Sequence, residues 1–303
     1  MERTGDSETL RHRRTDLLAL LGAVLGISSS APLVVAFTGP VIAIAFWRTA
    51  LGAIATAPLA WRHRAALRAL APRDWLLMAL SGVFLGFHFA TWIPSLRYTS
   101  IAASIAITAT QVVWAAILAH LAGHRAPRRE WLGIGTALIG VIILTGIDFG
   151  LDRRSLVGDA LALVAAMFAA AYMHVGQRVR TRLPATAYTT VVYAVAAVVL
   201  IPVLAALHVD ALALAKHDWA IIAGVTLLAQ LGGHSLMNQA LRSFTATTVS
   251  LAILIEVPGA TFLGWLWPGQ TPPWQLVPAA LLILVGLVLV LRAGAVPAPA
   301  HER

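Results

Sequence analysis

Long apolar runs separated by very short charged linkers dominate this chain. Each run is about 17–23 residues long, the length that a helix needs to cross roughly 30 Å of hydrocarbon. Of the 303 residues, 59% are hydrophobic and only 12% are charged, which excludes an ordinary soluble enzyme. The pattern predicts an all-α integral membrane protein with ten transmembrane helices, at residues 17–36, 41–60, 75–96, 101–122, 131–147, 156–176, 185–207, 219–241, 246–267 and 274–291.

The sequence excludes several other classes of protein. Cysteine is absent, so the chain has no disulfide, no thiolate nucleophile and no cysteine-based metal site. The runs lack the alternating pattern of barrel strands. The formal net charge of +9 is carried largely by arginines in short loops. This placement indicates topology signals, so no nucleic-acid partner is expected.

The positive charges also predict an orientation, since ten spans put both termini on one side. Of the 22 Lys and Arg residues, only Arg97, Arg153, Arg154 and Lys216 fall on the opposite side, while Arg48 lies inside the second span. Lys and Arg concentrate in cytoplasmic loops. We therefore expect a multi-pass protein of the inner (plasma) membrane with both termini in the cytoplasm.

The two halves of the chain resemble each other. A shift of 146 residues aligns the third to fifth runs with the eighth to tenth, and it superposes Gly86 on Gly232, His88 on His234, Ser104 on Ser250, Pro127 on Pro273 and Gly140 on Gly286. Each half holds five helices, so the second half enters the membrane in the opposite orientation. Inverted repeats of this kind are typical of secondary transporters, which bind substrate near the membrane midplane.

The repeat predicts the domain organisation. We expect a cytoplasmic N-terminal tail at residues 1–16, a first five-helix repeat at 17–147, a linker at 148–155, an inverted second five-helix repeat at 156–291 and a cytoplasmic C-terminal tail at 292–303. The two repeats are expected to surround a central cavity. Gly133, Gly135, Gly140 and Gly286 favour close helix packing, either of the two halves or of two protomers in a homodimer.

Three stretches resemble the drug/metabolite transporter superfamily in its EamA-type branch. They are residues 38–61 (TGPVIAIAFWRTALGAIATAPLAW), 96–104 (LRYTSIAAS) and 241–269 (LRSFTATTVSLAILIEVPGATFLGWLWPG). The resemblance extends over essentially the whole chain and implies ten helices in two repeats that transport a small molecule. The overall pattern and the aromatic content are most similar to the YddG-type exporters of aromatic amino acids, which implies amino acids as substrates.

Polar and ionisable groups inside the bilayer are functional candidates, because they are expensive to bury there. His88 and His234 are repeat equivalents, and Trp92 and Asn238 lie on their helical faces. Each histidine either lines a wet cavity or only bonds a neighbouring helix. The predicted substrate-binding residues are His88, Trp92, Ser104, Gln111, Trp114, His234, Asn238 and Glu256.

Several of these candidates have more than one interpretation. Ser104 and Gln111 share a face of the fourth helix, and Trp114 follows Gln111 by one turn, facing either an aromatic ligand or lipid. Glu256 lies near the middle of the ninth helix, where it binds a proton, pairs with Arg48, attracts a substrate amine or stays neutral and structural. Tyr172, His174 and Gln177 are expected at the cytoplasmic entry.

Arg48 and Pro258 are predicted to serve gating or helix pairing. Arg48 is the only cation well inside a span. Its side chain clamps a carboxylate, forms a gate ion pair or extends towards the outer surface. Pro258 removes a helix hydrogen bond and so favours a bend in the ninth helix.

The sequence carries no Walker A motif, no HExxH motif and no nucleophile constellation. No enzymatic activity, catalytic residue, cofactor or metal is therefore expected, and the partners are a small-molecule substrate and membrane lipid. We expect a secondary transporter that exports small organic metabolites, aromatic and other neutral amino acids in particular, by alternating access. The alternatives are export of drugs, cations or other metabolites by the same fold, a passive channel or scaffold, and an intramembrane lipid enzyme.

Overall fold

The computed structural model describes residues 2–99, 101–124, 126–145, 152–266 and 274–293, and every regular element in these ranges is helical. The first half contains α1 (Glu2–Ser28), α2 (Ser30–Ala36), α3 (Val41–Trp61), α4 (Arg64–Arg68), α5 (Pro72–Tyr98), α6 (Ile101–Ala109), α7 (Gln111–Leu121) and α8 (Arg128–Thr145). The second half contains α9 (Arg153–Arg180), α10 (Ala185–Ala206), α11 (Lys216–Val225), the π-helix π1 (Thr226–Ser235), α12 (Leu236–Ala240), α13 (Ala246–Ile253), α14 (Glu256–Leu266) and α15 (Leu276–Ala293).

Eight helical segments in the described ranges are long and apolar enough to cross a membrane. They are Thr15–Ala36, Val41–Trp61, Pro72–Tyr98, Ala103–Leu121, Arg153–Arg180, Ala185–Ala206, Lys216–Ala240 and Leu276–Ala293. Two of the predicted spans do not meet this criterion as single helices. α8 begins with the charged residues Arg128, Arg129 and Glu130, and the apolar helix at Ala246–Ala260 is too short within the described residues. The count of ten spans stays a prediction.

The structure describes some of the predicted boundaries of the two repeats and leaves others undescribed. α1 begins at Glu2, so the first helix continues through the residues predicted as an N-terminal tail, and Asp16 is buried. Asp152 caps α9 by accepting hydrogen bonds from the backbone nitrogens of Arg154 and Ser155. Residues 148–151 of the predicted linker and 294–303 of the predicted C-terminal tail lie outside the described residues.

Two helices are interrupted near their middles, at similar places in the two halves. α6 gives way to α7 at Thr110, and α13 gives way to α14 at Leu254 and Ile255. Pro258 explains the second break, because it has no N–H for the carbonyl oxygen of Leu254. That oxygen accepts instead from the backbone nitrogen of Val257 at 3.1 Å. Discontinuous helices of this kind surround the binding sites of many transporters.

The two halves interlock. α5 of the first half packs mainly on α9 and α10 of the second, while π1 of the second half packs on α1 and α3 of the first. Glycines permit the close approach: a Cβ at Gly82 would lie 2.8 Å from the Val192 carbonyl oxygen, and one at Gly26 would lie 2.5 Å from that of Leu228. This packing places α5 and π1, which carry the two repeat-equivalent histidines, in the region where the halves meet.

A second close contact joins α8 to α15. A Cβ at Gly133 would lie 2.7 Å from the carbonyl oxygen of Gly286, and a Cβ at Gly286 would lie 2.5 Å from that of Gly133. A Cβ at Gly140 would lie 2.7 Å from the carbonyl oxygen of Ala279. These three glycines are therefore explained by packing of the two halves within one chain, whereas a Cβ at Gly135 would meet nothing within 4 Å.

Candidate functional site

A central cavity of about 60 Å³ lies between the two halves. Five of the predicted binding residues line it: His88, Trp92, Gln111, His234 and Glu256. The remaining wall comes from Ile27, Ser30, Phe89, Ile105, Thr108, Ala109, Ala169, Tyr172, Met173, Met237, Ile253, Leu254 and Val257. This volume holds a few water molecules. A metabolite therefore enters only when side chains or helices of the wall move.

His88 projects from α5 and is buried. Its Nδ1–H donates to the carbonyl oxygen of Ala165 on α9 at 3.0 Å, because a carbonyl only accepts. In the neutral ring Nε2 is then the acceptor nitrogen. The imidazole stacks on Trp92 with ring centroids 6.1 Å apart and planes 7° from parallel. Thus His88 both joins the two halves and presents an acceptor beside an aromatic surface.

His234 lies on π1 and is separated from His88 by Phe89. The Phe89 ring centroid is 5.1 Å from that of His88 and 5.2 Å from that of His234, with an edge-on arrangement to the latter. The Nδ1 atom of His234 has no hydrogen-bond partner among the described residues. The structure therefore brings the two repeat-equivalent histidines to one wall. In the described ranges, no group of three or more His, Asp or Glu side chains is placed to hold a metal ion.

Asn238 lies behind His234 and is not part of the cavity wall. Its amide nitrogen donates to the hydroxyl of Tyr172 and, at 2.7 Å, to the carbonyl oxygen of His234. Tyr172 itself lines the cavity, although the sequence suggested a place at the entry. Asn238 thus positions Tyr172 and π1, and a contact with substrate would require a change of shape.

The predicted fourth span, which the structure divides into α6 and α7, contributes different side chains on the two sides of its break. Gln111 is buried and lines the cavity together with Thr108. Ser104 is fully buried, with its hydroxyl 2.6 Å from that of Ser95. Trp114 is half-buried and is not part of the wall. The break at Thr110 interrupts the helical face on which the sequence placed Ser104 and Gln111.

Glu256 is the first residue of α14 and the only carboxylate among the cavity-lining residues that the structure describes. The side chain makes no ion pair with Arg48 within 4.0 Å, so the predicted pairing is not formed in this conformation. Pro258 is buried next to it and does not line the cavity. The break between α13 and α14 lies just before it in the chain, and its predicted part in gating or helix pairing stays a prediction.

Arg48 is fully buried directly behind the cavity wall. Its Nε donates to Oε1 of Gln230 at 2.9 Å, and Nη1 donates to the hydroxyl of Ser30 at 3.2 Å. The guanidinium carbon lies 4.1 Å from the centroid of Phe89. Arg48 therefore does not extend to the outer surface, and it connects α2, α3, α5 and π1. The sequence did not reveal its partner Gln230, which lies in the other half.

Several buried polar atoms around the cavity have no hydrogen-bond partner among the described residues. They are Nη2 of Arg48, Oγ1 of Thr108, Nε2 of Gln230, Nδ1 of His234 and Oδ1 of Asn238. Folded proteins leave few such groups, since each costs about 1–3 kcal/mol when unpaired. Their concentration in one region suits a polar ligand.

The two ends of the bundle differ. A second cavity of about 510 Å³ opens where α7, α9, α13 and α15 end or begin, and His174, Gln177 and Arg178 are among its lining residues. We call this side the Arg178 end. At the opposite side, the Asp218 end, Oδ1 of Asp218 accepts from the backbone nitrogen of Thr38 at 2.8 Å, and Trp47 donates to the carbonyl oxygen of Ala211 at 2.7 Å. Among the described residues, a cavity thus opens at the Arg178 end, and hydrogen bonds join the two halves at the Asp218 end.

Comparison with known proteins agrees with this architecture. A solved structure described only as "Crystal structure of protein" superposes with a TM-score of 0.73 at 17% identity, covering 94% of this chain and 100% of that one. This similarity concerns the fold alone. No curated protein matches the sequence. The model of the EamA-like transporter family matches residues 13–146 and residues 156–292. The chain therefore belongs to the EamA-like transporter family, a membrane transporter family within the drug/metabolite transporter superfamily.

Proposed function

We propose that this protein is a secondary transporter that exports small organic metabolites, amino acids in particular, from the cytoplasm. The observation that carries this proposal is the central cavity between the two halves. It is walled by the repeat-equivalent His88 and His234 and by a single described carboxylate, Glu256. A site built from both halves changes shape whenever the halves move relative to each other.

The mechanism proposed is alternating access by two inverted five-helix repeats, at residues 17–147 and 156–291. In this arrangement α8 and the α13–α14 pair complete ten spans. The Arg178 end faces the cytoplasm with both termini, as the distribution of arginines predicts for a plasma-membrane protein. The open Arg178 end and the closed Asp218 end then correspond to a state that loads substrate from inside. The transport unit is one chain, and a homodimer would use surfaces other than the α8–α15 contact.

Aromatic and other neutral amino acids are the proposed substrates, as in the YddG-type exporters. Trp92, Phe89 and Tyr172 supply aromatic surface to the cavity wall. Aromatic side chains of a ligand gain about 0.5–1.5 kcal/mol from such ring contacts beyond burial. Glu256 favours a second candidate, an exporter of organic cations, because it is the one described carboxylate of the wall.

Counterflow in proteoliposomes tests the proposal. Vesicles containing the purified protein are loaded with unlabelled amino acids, and uptake of labelled phenylalanine, threonine and an organic cation is measured in parallel. We expect saturable phenylalanine uptake that His88→Gln, Gln111→Ala, His234→Gln and Glu256→Gln each reduce by about tenfold, a loss of roughly 1.4 kcal/mol. His120→Gln, an exposed histidine at the end of α7, is the matched control.

Each alternative gives a different result. Uptake of the cation alone would replace amino acids by cations as the substrate class. Flux that never saturates would indicate a channel. Recovery of a chemically altered substrate by mass spectrometry would indicate an enzyme. Normal uptake by all four cavity variants would show that the assigned binding residues are wrong.

A further inference from the structure

Arg48 and Gln230 form a buried pair in which one N–H-bearing nitrogen of each side chain lacks an acceptor among the described residues. Both side chains have 0% exposure. The Nε–H of Arg48 donates to Oε1 of Gln230 at 2.9 Å, which fixes the orientation of the Gln230 amide. The Nη2 group of Arg48 and the Nε2 group of Gln230 have no acceptor among the described residues. Two adjacent side chains of this pair therefore each carry an unused N–H donor.

The chemistry of this pair matches a carboxylate. A guanidinium and a neighbouring amide together offer two N–H donors to two oxygens, and a charge-assisted bond is about twice as strong as a neutral one. The net positive charge of Arg48 favours an anionic acceptor over a neutral one. A buried donor that lacks an acceptor costs about 1–3 kcal/mol, so an incoming carboxylate removes this cost as it binds.

The pair is separated from the cavity by a single layer of side chains. Ser30 and Phe89 both line the cavity, and both contact the guanidinium: the Ser30 hydroxyl at 3.2 Å and the Phe89 ring at 4.1 Å from its centroid. Phe89 and Ser30 are therefore the side chains that must move for the guanidinium to reach a ligand in the cavity. Glu256 on the cavity wall has no ion pair to Arg48 and stays available to a cationic group of the same ligand.

The local backbone holds Gln230 in place. In π1 the carbonyl oxygen of Gln230 accepts from the hydroxyl of Tyr193 at 3.2 Å and from that of Ser235 at 3.3 Å. Tyr193 lies on α10, so the backbone that carries the Gln230 side chain is held from a third helix. Rigid support of this kind preorganises a binding group and lowers the entropy lost on binding.

We propose that Arg48 and Gln230 bind the free carboxylate of the substrate, so that the protein selects carboxylates and, with Glu256, zwitterionic α-amino acids. This inference rests on the proposed transport function and assigns to Arg48 a role beyond helix pairing. It makes the carboxylate, and not the aromatic ring, the group that a substrate must possess.

Substrate analogues test the inference on the unmodified protein. Counterflow of labelled phenylalanine is competed with unlabelled phenylalanine, with phenylalaninamide and with 3-phenylpropionate. We expect the amide, which lacks only the carboxylate charge, to compete at least about tenfold more weakly than phenylalanine. Equal competition by phenylalanine and its amide would overturn the carboxylate site while leaving amino-acid export intact.

A binding measurement separates this inference from the transport proposal. The thermal stability of the purified protein is followed with 3-phenylpropionate and with phenethylamine, for wild type, Arg48→Lys, Gln230→Leu and the control Gln239→Leu. Gln239 lies on α12 and bonds Asp16. We expect stabilisation by the carboxylate that is lost in Arg48→Lys because lysine lacks the planar fork, weakened in Gln230→Leu and kept in the control, whereas the effect of phenethylamine should be the same in all four proteins.

Each result of this binding measurement decides the inference. Carboxylate stabilisation that needs Arg48, in a protein that shows no amino-acid counterflow, would support the site and refute the amino-acid substrate. Undiminished carboxylate stabilisation in Arg48→Lys or in Gln230→Leu would overturn the inference. Because Gln230→Leu leaves the arginine in place, it tests the site even if Arg48→Lys fails to fold.

Discussion

Asp218, near the start of α11, accepts hydrogen bonds from Thr38 in the loop that follows α2 in the other half. Its Oδ1 accepts from the backbone nitrogen of Thr38 at 2.8 Å and from the Thr38 hydroxyl at 3.1 Å. The carboxylate therefore ties the second half to the loop between α2 and α3. Under the proposed alternating access, these hydrogen bonds must break when the cavity opens to that side.

Replacing Asp218 by alanine is expected to open this end of the bundle. Loss of hydrogen bonds to a charged group amounts to about 1.5–3 kcal/mol, enough to shift a two-state population by roughly tenfold or more.

Because the chain lacks cysteine, Ala109→Cys supplies a single thiol on the cavity wall. Its labelling rate by an impermeant reagent added at the Asp218 end should rise in Asp218→Ala. Asp210→Ala, an exposed aspartate that caps Leu212, is the control. Equal labelling rates in Asp218→Ala and Asp210→Ala would show that the hydrogen bonds of Asp218 do not keep this end closed.

The glycine contact of α8 with α15 makes a prediction about stability. Gly133→Ala and Gly286→Ala each force a methyl group to within 3 Å of a backbone carbonyl oxygen. Such overpacking costs about 1–3 kcal/mol. Gly135→Ala meets nothing within 4 Å and should be neutral or stabilising by about 0.5–1 kcal/mol, as alanine is the better helix former. Thermal unfolding in detergent measures all three, and a destabilised Gly135→Ala would contradict the assignment of the contact.

Two neighbouring arginines should differ strongly in their contribution to stability. Arg180 is buried, and its Nε donates to the carbonyl oxygen of Asn238 at 2.6 Å, while Nη1 donates to that of Leu183. Arg180→Gln is expected to lower stability by about 1–3 kcal/mol. Arg182 is mostly exposed and lies 3.9 Å from Asp74, so Arg182→Gln should change stability by less than about 1 kcal/mol. Equal losses in the two variants would contradict the structural role of Arg180.

Asp152 makes stability depend on pH. Hydrogen bonds to its carboxylate, foremost from the backbone of Ser155, hold the pKa of Asp152 below its usual range. Since the folded pKa lies below the unfolded one, the stabilisation is complete above the unfolded pKa of about 3.9 and is lost as the pH falls through the folded pKa. The difference in melting temperature between wild type and Asp152→Ala should therefore shrink below about pH 4. A difference that is constant from pH 7 to pH 3 would show that the cap does not titrate.

Much of this architecture follows from the sequence because apolar run length and small residues report directly on helices and their close contacts. The repeat-equivalent histidines were found because both are polar groups placed deep in apolar runs. Arg48 was found for the same reason, but its partner Gln230 could not be, since that contact joins residues 182 positions apart.

Other parts of the site depend on departures from regular helix geometry. The sequence placed Ser104 and Gln111 on one helical face and left Trp114 facing either a ligand or lipid. With the break at Thr110, Gln111 is the one of these three on the cavity wall. Similarly, π1 has a different periodicity from an α-helix, and Asn238, predicted on the face of His234, lies behind the cavity wall. Pro258 is the one local signal for these irregularities, and no such residue marks π1.

The α8–α15 contact has the geometry of an isologous dimer interface inside a single polypeptide. The repeat relation carries position 133 to 279 and position 140 to 286, so it converts the contact of Gly133 with Gly286 into that of Ala279 with Gly140. A surface that pairs with its own rotated copy is what associates two identical subunits about a twofold axis. Because both halves belong to one chain, they are always present in equal number and close to each other. The contact therefore forms at any protein concentration, whereas two separate subunits would have to meet in the membrane.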